Sequence, residues 1–68
     1  MTLEEFTEDV RQKMYNVMSE SKEDIDRFME TDDAKFALRD AYEADKGNEE
    51  EQKKRVWSCV SCLYWLYE

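Results

Sequence analysis

Apolar residues recur at helical spacing from the start of the chain, at Leu3, Phe6, Val10, Met14, Val17 and Met18. At about 100° per residue they fall within an arc of roughly 120°, the width of one core-facing stripe. Thr2-Leu3-Glu4-Glu5 ahead of them is a capping-box pattern, in which the Thr2 hydroxyl accepts from the Glu5 amide while Glu5 reaches back. A first helix is predicted over residues 3–18, ending at Ser19-Glu20-Ser21, because serine favours caps over helix interiors. Ser21 then caps a short second helix over 22–30, with Ile25, Phe28 and Met29 as its apolar residues.

One straight helix continued from there would set Ile25 and Phe28 opposite Ala37, Leu38 and Ala41. A break near Thr31 resolves the conflict. Thr31 is a good N-cap, and Asp32 and Asp33 suit the positive end of a helix dipole. The third helix, over 32–45, packs through Ala34, Ala37, Leu38, Ala41 and Tyr42. Gly47 can take the left-handed conformation that ends it. Asn48 caps a fourth helix over 49–67, with Glu49, Glu50 and Glu51 in its first turn. No alternating strand pattern bounded by turns is present, so the expected fold is all-α: one small domain over residues 1–68, a bundle of three to four helices.

The fourth helix is the unusual one. Val56, Cys59, Val60, Leu63, Leu66 and Tyr67 form one broad face, and Trp57 and Tyr64 widen it to about 180° of the helix. Either this helix is the spine that the others wrap, or part of its face docks a second copy or another protein. Trp65 projects toward Ser58 and Ser61, away from the centre of that face, and Tyr15 and Phe36 are similarly out of phase on their helices. Scattered exposed aromatics are ordinary. They are also the usual anchors of interfaces, which makes Phe36, Trp57, Tyr64 and Trp65 candidate partner contacts.

Charge adds a second candidate surface. The net charge is −8 on 68 residues, with 41% of them charged. Residues 1–34 hold eleven acids and four bases, whereas residues 35–68 hold seven and six, so nearly all the excess lies in the first half. The densest run, residues 20–33, sets Glu20, Glu23, Asp24, Asp26, Glu30, Asp32 and Asp33 against Lys22 and Arg27. It can be a solvated face, a set of intrachain partners for Lys53, Lys54 and Arg55, or a face for a basic protein partner. DNA mimicry is the extreme form of the last reading. A chain this size is roughly 28 Å across, and duplex of that length carries about 16 charges. Half that charge, with bases interleaved, matches a small basic groove better than a whole duplex. Direct nucleic-acid binding is not expected, because phosphate is repelled.

Length bounds the rest. About 62% of the unfolded surface is buried in a chain this small, so its apolar residues must be used efficiently or shared with a partner. Little volume remains from which to carve a pocket of several hundred Å³. No histidine, phosphate loop or nucleophile elbow is present, and no catalytic residue or cofactor is expected. Cys59-Val-Ser-Cys62 lies about ten residues into its helix, where the dipole does not stabilise a thiolate, and it offers only two metal ligands. Both thiols are expected to pack as small hydrophobes, with no metal. An EF-hand register on Gly47 fails, since it puts Tyr42, Ala44 and Lys46 on ligand positions.

The first residues are acidic and lack a signal or transit pattern, and Thr2 stands where myristoylation needs glycine. The longest apolar stretch, residues 56–67, falls short of the roughly twenty needed to span a bilayer. A cytoplasmic protein without membrane attachment is expected. The functional expectation is a non-enzymatic interaction module that binds a protein through the acidic run or through the aromatic fourth helix, with a homodimer as one form. The alternatives are a DNA-mimic inhibitor of a nucleic-acid-binding protein, as from a phage or mobile element, and an orphan structural domain of unknown role.

Overall fold

In a computed structural model, which describes residues 1–67, four α-helices connected by short turns enclose one core: α1 (Leu3–Val17), α2 (Lys22–Met29), α3 (Asp32–Ala44) and α4 (Glu49–Tyr67). No strand occurs among the described residues. Each helix starts where a side-chain oxygen replaces the missing backbone partner of an N-terminal amide. Thr2 and Glu5 close a full capping box, with the Glu5 N–H donating to Thr2 Oγ1 at 3.1 Å and the Thr2 N–H to Glu5 Oε1 at 2.8 Å. Ser21, Thr31 and Asn48 accept from the N–H groups of Asp24, Ala34 and Glu51 in the same way. Gly47 sits at φ +92°, the left-handed position required between α3 and α4.

Helices α1 and α4 run side by side in the same direction. The amino group of Met1 lies 3.3 Å from Glu49, and Lys13 lies 5.5 Å from the Trp57 ring centroid. Helix α3 returns antiparallel and is held at its C-terminal end. The Tyr42 hydroxyl donates to the Met1 carbonyl at 2.7 Å, its ring meets Phe6 edge-on, and Arg55 donates to Asp45. Helix α2 crosses the other end, where Phe28 meets Tyr67 edge-on at 5.3 Å. The core draws on every helix: Phe6, Val10 and Met14; Ile25 and Met29; Ala34 and Leu38; Val56, Cys59, Val60 and Leu63. Helix α4 packs against both α1 and α3, the placement expected of a spine.

Four expectations are corrected. Val17 was placed on the core stripe, but it is 51% exposed. Helix α1 ends there, and Met18 leaves it with extended backbone (φ −94°, ψ 143°), swinging its own side chain into the core instead. Leu66, also assigned to the buried face, is 48% exposed, because the inner face of α4 centres on Val56, Val60 and Leu63. Cys62 is exposed, and only Cys59 packs as a hydrophobe. Tyr15 is half-buried rather than a projecting aromatic, its hydroxyl donating to Asp26. The one buried polar side chain among the described residues, Gln52, carried no sequence signal; its Nε2 donates to the Tyr42 carbonyl at 3.2 Å.

Candidate functional site

The candidate residues separate into three places. The acidic run follows the α1–α2 turn, α2 and the start of α3, and most of it is engaged within the chain. Helical spacing puts Glu23 and Asp24 one turn from Arg27, at 3.7 and 3.8 Å. Asp26 reaches across to α1, accepting from Tyr15 and lying 3.7 Å from Arg11 Nε. Glu30 pairs with Lys35 at 3.2 Å. Glu20 lies beside Tyr67; burial first, then the charges of Glu20 and Asp24, hold that phenol above its ordinary pKa. Asp32 and Asp33 fill the first turn of α3, where the dipole favours acids. Of the bases named in one of the three readings of the run, Lys54 pairs with Glu51 and Arg55 with Asp45 instead. Exposed pairs of this kind contribute little to stability, but they lower the charge presented outward.

Phe36 stands apart from the other aromatics. It is 73% exposed on the wall of an open groove of about 570 Å³ between α1, the end of α2 and α3. The groove corrects the expectation that so short a chain leaves no such volume: the space lies between helices and not within the core. Leu3, Met29 and Leu38 line it with Phe36, while Glu4, Glu8, Glu30, Arg11, Lys35 and Arg39 mix both signs around it. No single charge pattern emerges there to select a ligand. Among the described residues no three metal-ligating side chains converge, and no helix is long and apolar enough to cross a membrane.

Trp57, Tyr64 and Trp65 do share one place, the solvent side of α4. They are 53, 40 and 73% exposed, with Leu66 at 48%. Between them Ser58, Ser61 and Cys62 are exposed and small. From Val56 to Tyr67 this helix carries no charged residue on any side. That departure from a chain 41% charged overall cannot be explained by burial, because half of the stretch faces water. The thiols differ in kind. Burial, reinforced by the neighbouring Cys62, pushes the Cys59 thiol up to about 12, which keeps it protonated and inert.

Helical spacing sets Trp57 and Tyr64 at the edge of the broad face and Trp65 away from its centre, and all three are exposed. Their common feature is the missing charge, which is legible without a structure. Comparison with known protein families, with curated proteins and with solved structures gives no match for this chain.

Proposed function

We propose that this protein is a non-enzymatic protein-interaction module whose docking face is the solvent side of α4. The observation that carries the reading is the uncharged, aromatic-rich face formed by Trp57, Ser58, Ser61, Cys62, Tyr64, Trp65 and Leu66. Contiguous exposed apolar surface of this extent is a common mark of protein contact sites, and tryptophan and tyrosine are the residues that most often supply binding energy there. A face meant only for solvent gains nothing from two exposed tryptophans, and it loses solubility. The acidic run then keeps the rest of the molecule soluble and directs association to the stretch of α4 over residues 56–67, which carries no acid.

The test is a photo-crosslinking side chain placed at position 61 or 65, compared with one at position 23 or 32 in the acidic run. The expected result is a single adduct from the α4 positions, abolished by Ser58→Arg on the same face. Adducts only from positions 23 and 32 would transfer the function to the acidic run and to a basic partner, DNA-mimic targets included. No adduct from any position would leave the protein without a docking face.

A further inference from the structure

Building on the docking-face reading, we propose that the occupant is a second copy of this chain, paired α4 to α4 as an antiparallel, two-fold symmetric dimer with its axis between Ser61 and Cys62. Two separate features select that axis. The uncharged run, residues 56–67, is bounded by Arg55 and Glu68, and its midpoint falls between Ser61 and Cys62. An axis there lays the run against itself along its whole length with no charge of the run itself at the contact, and Lys13, over the Trp57 ring, stands at its flank. Shape gives the same answer. At about 100° per residue, Ser61, Trp65 and Ser58 lie within roughly 60° at the centre of the exposed face. Trp65 stands three and a half positions beyond the midpoint and Ser58 the same number before it. Each copy's Trp65 therefore lands on the other copy's Ser58, large against small, at both ends of the contact.

The flanks agree. A two-fold axis keeps each side of the helix on its own side, so Trp57 meets the second copy's Tyr64 and Cys62 meets its counterpart near the axis. With Trp65 seated on Ser58 at both ends, the helix axes stand about 10 Å apart. Area is sufficient. At about 150–250 Å² for a whole aromatic side chain, the exposed parts of Trp57, Tyr64, Trp65 and Leu66 amount to roughly 500 Å² per copy. With the three small residues the pair buries about 1,000–1,200 Å², the lower bound for a specific dimer. The contact is isologous and closes on itself, so it gives dimers and not fibres.

Sedimentation equilibrium over roughly 1–500 µM brackets the affinity such an area supports. The expected result is a shift from 8.3 kDa to twice that mass. Because each chain carries −8, self-association should tighten as salt rises, opposite to docking through the acidic run. Ser61→Arg sets like charges across the axis and should weaken the dimer by more than about 100-fold, with helicity unchanged. Ser58→Trp and Trp65→Ser should each weaken it, and together restore it by exchanging knob and hole. A monomer at every concentration would overturn the proposal. So would a dimer indifferent to Ser61→Arg, or a double variant weaker than either single one. If crosslinks from position 61 to a different protein persist in such a monomer, the docking face stands and the second copy is excluded.

Discussion

Replacing Leu63 with alanine deletes three carbons at a position with no solvent exposure, whereas the same replacement at Leu66, one turn further on, acts on a side chain already 48% exposed. The pair tests which way α4 faces. At Leu63 the lost transfer energy is joined by a cavity that close packing only partly fills, and buried leucines treated this way lose about 3–5 kcal/mol. At Leu66 roughly half of a leucine's burial energy is at stake, about 1 kcal/mol. A domain of 68 residues has about 3–10 kcal/mol of stability in total, so Leu63→Ala removes a third of it or more. Urea unfolding followed by circular dichroism gives both numbers, provided m is unchanged. Working near 1 µM keeps any self-association from adding to the Leu66 value. Expected melting temperatures fall by more than about 12 °C for Leu63→Ala and by about 4–8 °C for Leu66→Ala. Equal losses, or a larger loss at Leu66, would refute the orientation of α4 and with it the docking face.

Further outcomes follow from single sites. A thiol reagent added to the native protein should consume Cys62 quickly and Cys59 only after denaturant, since Cys59 is buried with its thiol pushed up to about 12; two fast thiols would contradict that burial. Glu5 is held below its ordinary value of 4.5 by its hydrogen bond from the Thr2 amide. Its contribution is present above pH 4.5 and lost as pH falls through the lowered value, so Glu5→Gln should flatten the acid limb of a stability–pH curve. Tyr15, raised above 10 by its hydrogen bond to Asp26, behaves in the opposite sense. Its contribution is complete below pH 10 and lost as pH rises through the raised value, and Tyr15→Phe should remove that loss in alkaline melts. Gly47→Ala meets nothing within 4 Å, so its whole cost is the left-handed backbone, about 1–2 kcal/mol in urea unfolding, with Gly47→Asn milder.

The helix starts were legible because capping is local chemistry. Thr2, Ser21, Thr31 and Asn48 each need only an amide three residues away, and Gly47 needs only its missing Cβ. What a side chain faces near a helix end was less legible. Val17 and Met18 both fit the apolar stripe, and the turn out of α1 decides which enters the core. Gln52 is buried by the return of α3 across α4, an event with no trace in its own neighbourhood. The acidic run divides the same way. Glu23–Arg27 follows from one helical turn, while Asp26–Arg11 and Glu30–Lys35 depend on how helices meet.

The pairing of α1 with α4 also sets the order of events during synthesis. Phe6, Val10 and Met14 are made before the other three helices, yet much of what covers them is contributed by the last of the four. While α2 and α3 are being added, these side chains have only part of their native shelter, and a helix the length of α1 is marginal by itself in water. The core around them is therefore complete only once α4 is present. A ribosome stalled within the codons for α4 would hold a chain that chaperones and proteases recognise as unfinished.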